Sequence, residues 1–93
     1  MNSQTQRIQK EQIQFLNFPT QEVLRSKQDI YDRCLDLKRA MVLGNLEREK
    51  VKIVFMDDQG IKTVETTVWA VTSKSVILKR SMVIPLERII SVD

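Results

Sequence analysis

The spacing of apolar residues changes once along this chain, near Gly44. Between Thr20 and Val42 they recur every three or four positions, which predicts one amphipathic helix with a buried stripe. Thr20 is the predicted N-cap, and Ser26 is an alternative start that would split the segment. Gly44-Asn45 predicts the end of the helix. The stripe consists of Val23, Leu24, Ile30, Tyr31, Cys34, Leu35, Leu37, Met41 and Val42.

From Lys50 onward the apolar period is two, and Val, Ile and Thr residues that suit a pleated surface are frequent. Three turn signals divide the stretch up to Val92 into four or five short strands, and Pro85 interrupts the ladder before the last one. One helix followed by short strands predicts an α+β fold with a curled antiparallel sheet. The predicted turns are Asp57–Gly60, Thr72–Ser75 and Lys79–Ser81.

The first 19 residues are polar and Gln-rich, and we predict an N-terminal arm at 1–19 followed by a single domain at 20–93. The first dozen residues are expected to be mobile and to bury little. Residues 13–18 alternate partly, which fits a short strand or a docking segment. The arm covers part of the core in one interpretation and binds a partner in the other.

Side-chain burial is predicted from the same periodicities. Cys34 lies on the apolar stripe and is expected to be a buried, inert thiol. Trp69 is the one tryptophan of the chain. It either caps the sheet under the helix or serves as a surface anchor for a base or a protein. The predicted core is Leu35, Ile53, Phe55, Val68, Leu78 and Ile90.

The order of predicted elements is a helix, a long bent hairpin, a short hairpin, a Pro-containing turn and a last strand. Over residues 26–92 this order resembles the small SH3-like barrels, particularly the Sm-like and Hfq-like kind. The resemblance implies an N-terminal helix packed on a small barrel of four or five antiparallel strands. It extends also to short conserved bacterial proteins, from which no function is transferred.

The binding motifs of those barrels are not reproduced here. The Sm-like pocket uses an Asp followed by an Asn, whereas this chain has Asp57-Asp58-Gln59-Gly60. It also uses an Arg-Gly, whereas Arg80 is followed by Ser81. The Hfq-like pocket uses a Lys-His pair near the last turn, where this chain has Pro85-Leu86 and no histidine. The resemblance therefore implies a fold and not a set of binding residues.

Composition limits the chemistry. A chain without histidine has no imidazole acid–base catalyst, and a lone cysteine cannot build a zinc site. Two glycines cannot form the usual phosphate-binding loops. Asp57-Asp58 is the adjacent carboxylate pair, and its Gln-Gly neighbours favour a hairpin turn over a cation site. We therefore expect no enzyme activity, no cofactor and no metal.

Compartment and partners follow from the bulk properties. The net charge of +3 and the pI of about 9.2 are a mild basic bias. No apolar stretch approaches the ~20 residues of a membrane span, and residues 1–14 lack the apolar segment of a secretory signal. An unpaired cysteine fits a reducing compartment. We expect a cytoplasmic protein without membrane contact, and the oligomeric state stays open.

The leading functional hypothesis is a non-catalytic module that binds nucleic acid, with RNA favoured. The basic residues between 74 and 88 are expected to converge from adjacent turns and to bind phosphates weakly, with strong salt dependence. The alternative is a protein-interaction or assembly module that uses a sheet edge, the N-terminal arm or Trp69. The candidate nucleic-acid-binding residues are Lys74, Lys79, Arg80, Arg88 and Trp69, with Lys52 and Lys62 as weaker candidates.

Overall fold

The helix begins and ends later than its sequence signals predict. A computed structural model describes residues 5–93, and in it α1 spans Lys27–Glu47. Ser26 is the N-cap, since its hydroxyl accepts a hydrogen bond of 3.0 Å from the amide of Asp29. The predicted start at Thr20 is therefore wrong and a start at Ser26 is confirmed, but residues 20–25 form no helix, so the segment is not split in two. Arg48 ends the helix in a left-handed C-cap with a φ of 57°.

The rest of the regular structure within residues 5–93 consists of seven strands and of short 3-10 helices. The strands are β1 Gln6–Arg7, β2 Val51–Asp57, β3 Gly60–Thr66, β4 Val68–Val71, β5 Ser75–Leu78, β6 Val83–Pro85 and β7 Ile89–Val92. Short 3-10 helices lie at Lys10–Phe15, Lys79–Ser81 and Leu86–Arg88.

The strands form two sheets, with the orders β1-β3-β2-β7 and β4-β5-β6. β2 and β3 are a long antiparallel hairpin whose register runs from Val51 opposite Thr66 to Asp57 opposite Gly60. Thr67 alone separates β3 from β4, so the chain passes from one sheet to the other at that residue. The α+β class is confirmed. In the described part of the chain the sheets remain two separate ladders.

Gly44 lies inside α1 because the helix crosses the second sheet at this point. A Cβ added to Gly44 would collide with the carbonyl oxygen of Val68 and would lie 2.9 Å from Cγ2 of Thr67. No other residue lets the helix backbone approach β4 so closely. The predicted stop at Gly44-Asn45 is therefore wrong, since this glycine serves packing and not termination.

The predicted core is largely confirmed on the strands. The side chains of Ile53, Phe55, Val68 and Leu78 are fully buried. Ile90 is only partly buried, because its neighbour on β7 takes the inward position.

On α1 the predicted stripe is confirmed for Leu37, which is buried, and wrong for Leu35 and Cys34, which are both exposed. The buried residues of this helix are an arginine, a leucine, an alanine and a glycine, a set in which apolar periodicity is hard to recognise. They are Arg33, Leu37, Ala40 and Gly44.

The N-terminal arm packs against the same core as the remainder of the fold. β1 pairs with β3 in parallel, and the amide of Ile8 donates to the carbonyl of Thr63 at 2.9 Å. Ile8 and Ile13 are buried, so the expectation that the first dozen residues bury little is wrong for Ile8. The Phe18 ring lies 6.0 Å from that of Phe55. Residues 1–4, for which mobility was also expected, lie outside the described range.

The segment that joins the arm to α1 is held by two arginines. Arg33 binds both carboxylate oxygens of Glu22 at 2.7 Å, and its Nη1 also donates to the carbonyl of Ile89 at 2.9 Å. This bidentate bond from Arg33 is the main reason that the pKa of Glu22 is lowered. Arg88 donates to the carbonyl of Gln21 at 2.7 Å. The residues before α1 are thereby fixed to β7 and to the last 3-10 helix.

Candidate nucleic-acid interface

Trp69 is a surface residue at the centre of a basic region. It lies in β4, where the alternation of the strand points Val68 into the core and Trp69 outward. The residue is 45% exposed. The interpretation in which Trp69 is buried as a cap beneath the helix is therefore wrong, and its role as an anchor for a base or a protein stays a prediction.

A cavity of about 420 Å³ lies beside Trp69 where three parts of the chain meet. The end of α1 and its link to β2 form one wall, β4 forms the second, and the residue after β5 forms the third. Its lining residues are Gly44, Asn45, Arg48, Lys50, Thr67, Trp69 and Lys79. The cavity, with these residues, is called the Trp69 cavity below.

The Trp69 cavity is electropositive. Arg48, Lys50 and Lys79 line it, and none of its lining residues is a carboxylate. Within residues 5–93 none of these three cations forms an ion pair. A concave site lined by charges of one sign concentrates the field and attracts counter-ions. The arrangement therefore suits an anionic ligand that carries a flat group for the indole to stack on.

Part of this charge also has a structural role. Arg48 and Lys50 follow the C-terminus of α1, where positive side chains interact favourably with the helix dipole. Lys79 belongs to a different element, and the tertiary fold brings it to the same helix end. The dipole thus gives the cations a structural reason, but it does not account for an exposed tryptophan next to them.

The turn that carries Lys79 has an unusual backbone. Arg80 and Ser81 have φ values of 66° and 61°, in the left-handed region that favours glycine. The turn is closed by hydrogen bonds from the amide of Leu78 to the carbonyl of Met82 at 2.7 Å and from Lys79 to Thr67 at 3.1 Å. Such backbone costs of order 1 kcal/mol per residue. The second bond fixes Lys79 beside the strand junction that leads to Trp69.

The structure brings together only some of the predicted site residues. Trp69 and Lys79 line the same cavity, and Arg80 is exposed on the adjoining turn. Lys74 is on the turn at the other end of the β4–β5 hairpin, about 16 Å along the strands from Lys79. The expected convergence is therefore wrong for Lys74, because successive turns of an antiparallel sheet lie at opposite ends.

Arg88 is not available to a ligand. It is 5% exposed, and its Nε donates to the carbonyl of Met56 at 2.9 Å in addition to the bond to Gln21. The placement of Arg88 among the contact residues is therefore corrected to a structural role. The 3-10 helix that follows β6 turns this side chain inward, where backbone carbonyls of two other segments satisfy it.

Lys62 is also removed from the weaker candidates, because its ammonium group forms a buried ion pair with Asp57 at 2.8 Å. Burial alone would raise the pKa of Asp57, but hydrogen bonds from Lys62 and from the amide of Gln59 leave it below the usual value. The turn interpretation of Asp57–Gly60 is confirmed. Among residues 5–93 no three metal-ligating side chains form a group that could hold an ion.

Sequence reasoning missed Arg48, Lys50 and Asn45. They belong to the last turn of α1 and to its link to β2. The expected helix end at Gly44 had assigned these residues to a loop without a predicted role. The signal that could have found them is the helix itself. Extending it through Gly44 carries these residues to the start of β4, beside Trp69.

Comparisons with protein-family models, with curated proteins and with solved structures found no match to this chain. In the part of the chain that the structure describes, no helix is both long enough and apolar enough to cross a membrane.

Proposed function

We propose that this protein is a non-catalytic module that binds single-stranded nucleic acid, with RNA as the favoured form. The observation that carries the proposal is the Trp69 cavity, in which an exposed indole stands beside three unpaired cations and no carboxylate. The base stacks on Trp69, and Arg48, Lys50 and Lys79 hold the flanking phosphates.

The size and shape of the cavity support a ligand that is locally single-stranded. A volume of about 420 Å³ is at the small end of ligand sites and suits one nucleotide. A base can stack on a side chain only when it is unstacked from its neighbours, as in single strands, loops and ends. Duplex nucleic acid is expected to bind only through its phosphates, and more weakly.

The proposed fold assignment is a small SH3-like or Sm-like barrel with a leading helix. It is supported by the order of the strands, by the passage from one sheet to the other at Thr67, and by the 3-10 helix between β6 and β7. The binding residues of the Sm-like and Hfq-like barrels are absent from this sequence, so the Trp69 cavity is proposed from its own geometry and not by transfer.

Titration of the intrinsic fluorescence of Trp69 tests the proposal directly, because the chain has no other tryptophan. Short single-stranded RNA and DNA oligomers should quench it at low salt, and a duplex of the same sequence should quench it less. Three phosphate contacts predict a slope of log affinity against log salt of about −2. Absence of quenching by every oligomer, with the fold intact, overturns the proposal.

Charge reversal locates the site. Lys50→Glu combined with Lys79→Glu should abolish binding in a mobility-shift assay, and Trp69→Ala should weaken it by about tenfold or more. Lys74→Glu is the matched control, since it reverses the same charge at the far end of the β4–β5 hairpin. A loss of binding in Lys74→Glu as large as in Lys79→Glu would show a diffuse attraction and would contradict a site at Trp69.

A second candidate function is protein assembly, and it is favoured by a different observation. The arm, which one interpretation assigned to partner binding, is packed on this fold, and β1 pairs along the outer edge of β3. An exposed apolar surface does exist, on the outer side of α1.

A further inference from the structure

The helix α1 has apolar residues on the side opposite its buried side. Tyr31, Leu35, Val42 and Leu46 are 60%, 42%, 49% and 77% exposed. At about 100° of rotation per residue they fall within a sector of roughly 60°, directed away from the buried Leu37. These four residues are called the outer stripe below.

The outer stripe is more than scattered surface hydrophobicity. Single exposed apolar residues are normal, whereas contiguous apolar patches mark interaction sites. The stripe extends over 16 residues of helix, from Tyr31 to Leu46, a rise of about 22 Å. On one flank it continues into an apolar groove of about 1100 Å³, which Val42 shares with Leu37, Met41, Val71 and Leu86. The continuous surface is long enough to receive a second helix.

We propose that the occupant is a second copy of this chain, with its α1 packed antiparallel to the first about a two-fold axis. The spacing of the stripe is the first argument. The intervals between its members are four, seven and four residues, so the pattern is the same in both chain directions. A two-fold axis between Lys38 and Arg39 places Tyr31 opposite the partner's Leu46 and Leu35 opposite the partner's Val42. An isologous interface requires this self-complementarity.

The charges along α1 are the second argument for the antiparallel direction. On the side of the axis toward the start of α1 the charges that are not buried are Lys27, Asp29, Asp32, Asp36 and Lys38, a net of −1. On the other side, through the link to β2, they are Arg39, Glu47, Arg48, Glu49 and Lys50, a net of +1. Antiparallel packing sets the net-negative side of one copy against the net-positive side of the other, with Asp29 opposite the partner's Arg48, whereas parallel packing would align like charges. Charge repulsion is expected at the axis, where Lys38 and Arg39 of the two copies approach one another. It is reduced because Asp36 already accepts a hydrogen bond from Arg39 at 3.3 Å.

Sedimentation analysis from low micromolar to millimolar protein tests this assembly. A dimer of twice 10.9 kDa is expected as concentration rises. Leu35→Asp and Val42→Asp should each weaken it by at least about tenfold, because each places a charge in an apolar contact. Val83→Asp is the matched control, since Val83 is similarly exposed, at 45%, but lies on β6. A monomer at every concentration, or a dimer that resists both helix substitutions, overturns the proposal.

Cysteine cross-linking tests the direction of packing. In a Cys34→Ser background, Arg39→Cys lies near the axis and should cross-link to its own copy through a short bifunctional maleimide. Leu46→Cys alone should not, because the two sites would be about 22 Å apart along the helices. A mixture of Tyr31→Cys and Leu46→Cys should cross-link. Self-cross-linking of Leu46→Cys indicates parallel packing and contradicts the proposal.

Discussion

The Trp69 cavity and the outer stripe are both exposed and both involve α1, but they are built differently. The cavity collects side chains from the helix end, from β4 and from the residue after β5, so it exists only once the chain is folded. The stripe comes from one helix and is already present in the sequence as a period. A site whose residues come from several elements is therefore recognised only from the tertiary structure. A site on one element needs only the correct assignment of its faces.

The sharpest test of the two faces of α1 uses two leucines that are two residues apart. Leu37→Ala should lower the free energy of unfolding by about 2–5 kcal/mol, because Leu37 is fully buried and its removal leaves a cavity. Leu35→Ala should change it by less than about 0.5 kcal/mol at low protein concentration. Chemical denaturation of both variants measures the difference. Equal losses would mean that the outer stripe is part of the folded core.

Gly44 belongs to the Trp69 cavity and to the buried side of α1, and Gly44→Ala should disturb the packing of α1 on β4. Alanine favours helix by about 1 kcal/mol relative to glycine. The collision with the carbonyl of Val68 outweighs that gain, and we expect a net loss of about 1–3 kcal/mol in a chemical melt. Asn45→Ala is the control, because Asn45 is exposed on the next position of the helix. A stabilised Gly44→Ala variant would show that α1 can move away from β4 at no cost.

Acid should lower the stability of the folded protein through two carboxylates, Glu22 and Asp57. The pKa values of Glu22 and Asp57 are lowered in the folded protein, so both carboxylates stabilise it above their unfolded values, near pH 4. This stability is lost as the pH falls through the lowered folded values. Stability measured from pH 6 to pH 2 should fall less steeply in Glu22→Gln, and an unchanged slope would contradict the role of the Glu22–Arg33 pair.

The smallest expected effect is a gain on the cavity side. Ser81→Gly should raise the free energy of unfolding by about 0.5–1 kcal/mol, because glycine adopts the positive φ of this turn without strain. Ser73→Gly, in the turn at the other end of the β4–β5 hairpin, is the control. Ser73 does not have a positive φ, so glycine there should be neutral or destabilising. Equal changes in the free energy of unfolding for Ser81→Gly and Ser73→Gly would contradict backbone strain in the turn beside Lys79.

The sequence was sufficient where local pattern and tertiary structure agree. The change of period near Gly44 predicted the α+β class, and the Asp57–Gly60 turn and the core residue Phe55 followed from strand alternation. It was insufficient on α1, where Arg33 takes a buried position. Its hydrogen bonds to Glu22 and to the carbonyl of Ile89 offset the cost of burying its charge. A prediction based on apolar residues alone assigns Arg33 to the surface. The predicted buried side of the helix is then rotated toward Leu35.

The candidate site was predictable to the same degree. Trp69 was singled out as the one tryptophan and Lys79 as part of a basic cluster, and the fold places both beside one cavity. Arg48 and Lys50 were missed because a helix that passes through a glycine delivers them. Arg88 was misassigned because its partners are carbonyls, which leave no trace in side-chain sequence.

The pairing of β1 with β3 has a consequence for synthesis of the chain. Gln6 is paired with Lys62, 56 positions later, so β1 leaves the ribosome well before its partner exists. At about 5–20 residues per second, the wait is roughly 3–11 s. During that time Ile8 and Ile13 have no core to enter, and the surrounding glutamines keep the segment hydrated. The arm can therefore pack only after β3 has been made, and its polar composition suits a segment that waits in water.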